Sequence, residues 1–483
     1  MIAVMVGDAE FFLTRRRALA MIAGGAGAAA LSGLAGCHVS AAGAGGATVL
    51  EFWTLALRPF ADYIGAMLDD FEQLHPGVRV RWVDVPYEAL DRKLIAAAAA
   101  GRSPDLVNFS DKTFARYVSM GATADLTGRL PGDASTTFVP GALRLGMMSN
   151  RLLALPWYLT TQTVLGNEAL LSVGGLSVGG SVPGTKPVPN RWAALRSSAR
   201  AYHSQTGRSL FSVPLGAESD LPMMLLAEGI NPFEPAGAGG VAGVRANLRS
   251  RAVFGCVNEW VDLYRRGALP REAATHGSAH LPDLYQNGRI ALINSGPNFL
   301  KRIADIAPSV FATTTSGPPI TGALGRAHIA VMVLCVMSTS AQPDLAAELA
   351  WHVTSAKYQE LLCKRAVILP STVSSLGDSM FSANGFAGAA GSAGAKVHAA
   401  RATTAQALRT AVAFTPTLPR WPDMRRVLED RIKGALLDGR DVSLTLAEIE
   451  RDWNRILADS PPATGPATMD AVPPLTPAPG VTV

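Results

Sequence analysis

The chain is poor in charge. Asp, Glu, Lys and Arg make up 17% of its 483 residues, against about 25% in ordinary soluble domains. Lysine is the scarcest of the four and supplies 8 of the 43 basic residues. Basic groups spread this thinly make no patch that follows a phosphate backbone, so nucleic acid is not expected as a partner despite a pI near 9.1. Cysteine is scarce too, with 4 in all, but a chain this long buries a large core without disulfide staples. After the N-terminal segment no apolar run reaches the roughly 18 residues of a membrane span. The longest, residues 328–337, fits a buried strand. What the chain has is 48% hydrophobic residues, which excludes intrinsic disorder. Its length allows two to four domains.

Residues 14–37 read TRRRALAMIAGGAGAAALSGLAGC. Arg15, Arg16 and Arg17 precede an uncharged stretch from Ala18 to Gly36, the layout of a secretory signal. The segment ends Leu34-Ala35-Gly36-Cys37. That resembles the bacterial lipobox, whose Cys is acylated and heads the mature protein. The expectation is a signal over 1–37, lipidation at Cys37 and a Gly/Ala tether over 38–47. The arginines suit twin-arginine or Sec export. A spanning anchor is the competing reading, weakened by a stretch made mostly of Ala and Gly. Stable anchoring takes more than one acyl chain. Removing 1–37 leaves 40 basic and 36 acidic residues, so the net charge of +5 falls to +4. Cys256, Cys335 and Cys363 remain and cannot all pair. Cys256 and Cys335 sit in apolar contexts that fit inert buried thiols, and one disulfide stays open outside the cytoplasm.

Apolar spacing then alternates between two periods. Residues 49–53 read as a strand. Phe60, Ile64, Met67, Phe71 and Leu74 repeat at helical spacing over 58–74, stopped by His75-Pro76-Gly77. Residues 78–82 alternate as a strand, 87–100 return to helix, and 105–109 form another strand. Strands alternating with helices predict an α/β sheet with crossover helices. Further along, 151–158 reads as a strand ending in aromatics and 174–190 as a Gly/Pro loop. Asn190 is expected to cap a helix through 205. Helices are expected over 249–266, 282–287 and 343–354, and strands over 290–294 and 328–337. The Gly/Ala-rich 383–400 predicts an exposed loop. Amphipathic helices over 422–437 and 444–457 close the fold. Residues 461–483 hold seven prolines and read as a disordered tail.

Two motifs carry less than they promise. Gly175-Leu176-Ser177-Val178-Gly179 matches G-x-S-x-G, but that chemistry needs a strand-to-helix turn, and here a Gly/Pro loop surrounds it. His276 and His280 stand four apart, yet Gly277 and Ser278 lie between them and the nearest carboxylate is Asp283, so neither metal nor cofactor is expected. Asn108-Phe109-Ser110 matches a glycosylation sequon, which a lipobox-bearing bacterial chain would not use.

Aromatic and polar groups recur at strand ends. Trp53 ends the first strand; Asn108, Ser110 and Asp111 end another; Trp157 and Tyr158 end a third. Ser295, Gly296 and Asn298 follow a fourth, with Pro297 at a helix start that leaves backbone N–H groups free. Ligands of open α/β sheets bind beyond the carboxyl ends of strands. Aromatic faces stack on sugar C–H faces, while carboxylates and amides bond to hydroxyls. The competing reading makes the aromatics core residues and the polar groups helix caps.

In order, Leu50-Glu51-Phe52-Trp53-Thr54, Phe71-Glu72-Gln73-Leu74-His75-Pro76-Gly77, Ser103-Pro104-Asp105-Leu106-Val107, Leu153-Ala154-Leu155-Pro156-Trp157-Tyr158 and Asn287-Gly288-Arg289-Ile290-Ala291 to Pro297 resemble the extracellular solute-binding proteins (family 1) of ABC importers. The resemblance runs over about residues 48–460. It implies an α/β, two-lobed periplasmic-binding-protein fold with a hinge (type II-like) and lobes interleaved in sequence. Lobe 1 would take 48–162 and 308–355, and lobe 2 163–307 and 356–460. The implied partners are a carbohydrate-type solute in the cleft and membrane permease subunits, and the implied place is the outer face of the cytoplasmic membrane. The implied state is a monomer without cofactor or enzymatic activity. Carried over by position, Trp53 stacks, Tyr87 reaches in, Asp111 accepts from hydroxyls, and Trp157 and Tyr158 line the hinge side. Ser295 and Gly296 donate, and Arg420 makes a polar contact. The chain departs from the pattern at Asn298, where relatives often carry an aromatic. Arg326 and Arg420 would suit a phosphate- or carboxylate-bearing solute. The alternatives are a sugar-phosphate or glycerophosphodiester binder and a glycan-acting enzyme, for which Asp111 with Glu218 or Asp220 is the candidate carboxylate pair.

Overall fold

The structure, a computed structural model, describes residues 47–459 apart from 149–150, 237–243, 383, 387, 389–391, 417 and 419. The expected signal, the lipidation site Cys37, the tether up to residue 46 and the tail over 461–483 lie outside the described residues.

In chain order the principal elements are β1 (Thr48–Leu55), α1 (Ala61–Leu74), β2 (Val78–Val85), α2 (Leu90–Ala99), β3 (Leu106–Ser110), α3 (Asp111–Ser119), β4 (Leu155–Thr161), β5 (Thr163–Asn167), α4 (Trp192–Thr206) and α5 (Arg251–Arg265). After these come β6 (Leu292–Ser295), α6 (Pro297–Ile306), β7 (Thr314–Gly317), β8 (Ile329–Val336), α7 (Pro343–Val353), α8 (Ala356–Ala366), β9 (Leu369–Pro370), α9 (Ala393–Leu408), α10 (Trp421–Leu437) and α11 (Val442–Ala458). In α1 the apolar period buries Tyr63, Ile64, Met67, Leu68 and Phe71 on one face. The chain leaves that helix through Gly77, whose φ of 89° lies in the left-handed region that glycine tolerates.

Six strands form one sheet in the order β9-β4-β8-β3-β1-β2. β1 pairs in parallel with β2 and β3 through helical crossovers, whereas β8 and β9 join antiparallel. A second sheet has the order β6-β5-β7, all antiparallel. Each sheet belongs to a different core. The first core holds β1 to β4, β8 and the buried faces of α7 and α8. The second is built around α4, α5, α10 and α11, with a satellite cluster under α6. Two α/β lobes result.

The chain passes between the cores at Gln162, between Leu324 and Ala327, and between Ala413 and Phe414. The expected breaks at 307/308 and 355/356 do not coincide with these. β7 pairs with β5, which keeps residues before Leu324 in the second lobe. β9 pairs with β4, which keeps α8 and β9 in the first. Two local expectations also change. α4 is capped at Arg191 rather than Asn190, whose carbonyl instead accepts from the Thr321 N–H. Much of the expected loop at 383–400 is the start of α9, capped by the Ser392 hydroxyl. Alanine is the strongest helix former, and the small side chains let α9 pack closely: Ala400 joins the satellite cluster and Ala405 and Leu408 the first core.

Candidate functional site

A cavity of about 330 Å³ opens between the lobes where the chain crosses. Thr160, Thr161 and Gln162 reach it from the end of β4, Arg326 and His328 from the approach to β8, and Ala330 from β8 itself. Hydrogen bonds fix this hinge. Thr161 Oγ1 donates to the His328 carbonyl at 2.9 Å, and Arg326 Nη1 to the Thr410 carbonyl at 3.1 Å. The Phe414 N–H donates to His328 Nδ1 at 3.1 Å, which assigns the neutral ring's proton to Nε2.

The second lobe contributes the opposite wall. Trp192 opens α4 and Phe414 begins the last crossing, so two aromatic rings border the space. Asn294 and Ser295 close β6, and Gly296 caps α6 with Pro297 in its first turn. A Cβ on Gly296 would come within 2.5 Å of Asn298 Oδ1, so glycine lets the Asn298 amide fold over the backbone here. Ser212, Asp220, Ser278 and Thr321 add further polar groups to the lining. The Oγ of Ser212 and the Oδ1 of Asn294 are buried and find no partner among the described residues. Buried polar atoms of that kind are normally satisfied.

The first lobe supplies a neighbouring cluster. Strand register places Ser110, Met332 and Tyr158 side by side across β3, β8 and β4. The Tyr87 hydroxyl donates to Met332 Sδ at 3.1 Å. Desolvation, then the charge of Asp111, pushes the Tyr87 phenol up to about 12. Burial first, then Tyr87 and Asp84, raises Tyr158 above the ordinary phenol range. Met332 and the cavity residue Ala330 are two apart on β8 and share a face, so this cluster continues the cavity wall.

The sequence-predicted residues therefore divide. Ser295, Gly296 and Asn298 line the cavity. Tyr87, Ser110 and Tyr158 meet around Met332, and Asp111 follows Ser110 at the start of α3. Trp53, Asn108 and Trp157 are instead core residues. The Trp53 indole donates to Glu51 Oε1 at 2.5 Å and lies under the Lys93 ammonium. Asn108 donates to the Val333 carbonyl at 3.2 Å. Trp157 has no exposed surface and packs on Phe52 and Tyr158. Arg420 immediately precedes α10 and pairs with Asp423 at 2.9 Å, apart from the cavity lining. Sequence reasoning passed over Gln162, Trp192, Ser212, Asn294 and His328. Of these only Asn294, immediately before Ser295, carried a signal as a strand end.

The other motifs are also placed. Ser177 is fully buried and accepts from the Thr185 hydroxyl at 2.7 Å. His276 and His280 stack with centroids 4.4 Å apart, and His280 faces Asp283 at 3.8 Å. Glu218 accepts from the Ser278 N–H, whereas Asp220 lines the cavity. Cys256, Cys335 and Cys363 are free and buried.

Two α/β lobes joined by repeated crossings, with a polar cleft at the hinge, define a two-lobed binding protein of the periplasmic type. The chain belongs to the bacterial extracellular solute-binding protein family, whose sequence pattern matches residues 58–360. A Synechococcus sp. MITs9220 crystal structure, provisionally assigned as an oligosaccharide periplasmic-binding protein, is 32% identical with a TM-score of 0.76. The match covers 84% of this chain and 98% of that one. The cyclic alpha-maltosyl-1,6-maltose binding protein of Arthrobacter globiformis shares the fold at a TM-score of 0.65 and 18% identity, over 86% of this chain and all of that one. A Streptomyces antibioticus protein described as an uncharacterized lipoprotein in the oleD 5' region is 23% identical over 281 residues. That match spans 58% of this chain and 60% of the lipoprotein's length.

Proposed function

We propose that this protein is the lipid-anchored, extracytoplasmic solute-binding subunit of an ABC importer. It captures a carbohydrate, an oligosaccharide or amino sugar, between its lobes and delivers it to a membrane permease. The observation that carries this reading is the interlobe cavity, where Trp192 and Phe414 border the Ser212 hydroxyl and the Asn294 amide oxygen, neither with a partner among the described residues. Aromatic walls with a few placed polar groups suit sugar rings. The oligosaccharide assignment of the Synechococcus relative and the maltosyl-maltose binding of the Arthrobacter protein support the solute class. The lipobox at Cys37 and the relative described as a lipoprotein support the anchor. No described helix is long and apolar enough to cross a membrane.

Closure brings the Tyr87–Asp111 cluster of one lobe toward Ser295 and Asn298 of the other. Contacts made only in the closed form let solute shift the open–closed balance. The closed monomer then offers both lobes to the permease, with no cofactor and no turnover. A second reading, a sugar phosphate or glycerophosphodiester, is favoured by Arg326 in the cavity. A glycan-acting enzyme would require the chain to convert its sugar. A thermal-shift screen over sugars, amino sugars and glycerophosphodiesters tests the proposal. A solute at about 100 times its Kd adds about 2.7 kcal/mol of stability. A sugar that stabilises without being converted supports the proposal; product release, or stabilisation by glycerophosphodiesters alone, rejects it.

A further inference from the structure

The Asn294 side chain is tied to the first crossing by its amide nitrogen. It lies opposite Val164 of β5, and its Nδ2 donates to Gln162 Oε1 at 2.5 Å. Gln162 sits at the first crossing between the lobes. With the amide nitrogen occupied there, the buried Oδ1 is left as an acceptor without a partner among the described residues. Ser212 lines the same cavity, is 7% exposed, and its Oγ is equally unpartnered. The two groups differ in what they demand. A hydroxyl rotates and can donate or accept, whereas an amide oxygen only accepts.

We propose that Asn294 selects the solute by accepting a hydrogen bond from one of its hydroxyls, that Ser212 makes an adaptable second contact, and that Gln162 is the positioning residue that sets which way the Asn294 amide faces. The inference rests on the carbohydrate reading and narrows it: one sugar position must carry an O–H or N–H donor. A solute that donates satisfies the buried oxygen. A deoxy analogue leaves it unpaired, and a fluorine or methyl ether at that position adds a second acceptor facing the first. A site built to bond a hydroxyl rejects the analogue lacking it because its own buried polar group is stranded. Gln162 never needs to touch the solute for this selection. Without its Oε1, the Asn294 amide turns freely and offers N–H to an acceptor as readily as oxygen to a donor.

Titration calorimetry on the intact chain tests this with maltose, trehalose, cellobiose and N,N'-diacetylchitobiose. The sugar that binds is then compared with its deoxy and deoxyfluoro derivatives. The comparison is run on the wild type, Asn294→Leu, Gln162→Leu, Gln162→Glu and Ser212→Ala, each checked for an unchanged melting transition. At one sugar position the wild type is expected to lose on the order of 10- to 100-fold in affinity on deoxyfluorination. Asn294→Leu erases that discrimination, and Gln162→Leu reduces it to about threefold or less. Gln162→Glu, which keeps the acceptor for Asn294 Nδ2, retains it. A purely structural role for Gln162 would lower the melting temperature and leave the ratio alone. If a sugar binds and every variant discriminates equally, or no position matters, the inference falls and the carbohydrate reading stands. If none of the four sugars binds, both fall.

Discussion

Replacing Trp157 by Ala separates a core residue from a ligand contact. Its ring lies 6.0 Å from that of Phe52 and 5.2 Å from that of Tyr158, with no exposed surface. A buried Trp covers about 200 Å² of largely apolar surface, roughly 5 kcal/mol at about 25 cal/mol per Å². Measured truncations of buried aromatics to Ala cost about 3–5 kcal/mol. The Trp157 indole N–H has no partner among the described residues, so its removal returns on the order of 1 kcal/mol. The net expectation is about 2–4 kcal/mol. In a lobe of this size each kcal/mol moves the melting temperature by about 2–4 °C, which gives a fall of about 4–16 °C in scanning calorimetry. Affinity measured well below that transition should stay within about threefold of the wild type, because Trp157 is not part of the cavity lining. An unchanged melting temperature with lost binding would refute the reasoning and return Trp157 to the solute site.

Other consequences arise from single groups. The Lys396 ammonium donates to the carbonyls of Phe311, Ala312 and Thr314 at 3.0–3.1 Å, satisfying the end of the short helix Pro308–Thr313 and tying α9 to the second lobe. Lys396→Met should cost about 1–3 kcal/mol, read as a lower midpoint in urea. Burial raises the phenols of Tyr63, Tyr158 and Tyr285 above the ordinary range. The fold favours their protonated forms, so the stability they confer is complete below about pH 10 and lost as pH rises through the folded values. A denaturation series with flat stability from pH 9 to 12 would contradict this. Burial also pushes up all three described thiols, Cys256 to about 11. A Cys37→Ser chain should therefore resist a thiol reagent at pH 8 until unfolded, and rapid native labelling would show the cores to be open.

The alternation of periods from β1 to β3 was legible because each element buries one clean face: Phe71 and Met67 at helical spacing, Phe52 and Leu50 at strand spacing. α9 was not legible. Its Ala and Gly residues show no amphipathic face, and its burial comes from two lobes distant in sequence. The lobe boundaries failed for a related reason, since the pairings β7 with β5 and β9 with β4 are long-range choices. In the site, Ser295, Gly296 and Asn298 were readable from a strand running into Pro297. Trp53 and Trp157 show the limit of that logic, because an aromatic at a strand end points into the core as readily as into a cleft. Gln162 and Ser212 carried no signal, since Gln162 reaches the cavity only at a crossing between the lobes and Ser212 only through the long-range packing of the second.

Calorimetric titration of the mature chain with malto-oligosaccharides and amino sugars tests the central claim most directly. Saturable binding at one site, with the sugar recovered unchanged, is the predicted result. Absence of binding heat across the whole set, or recovery of a converted sugar, would contradict it.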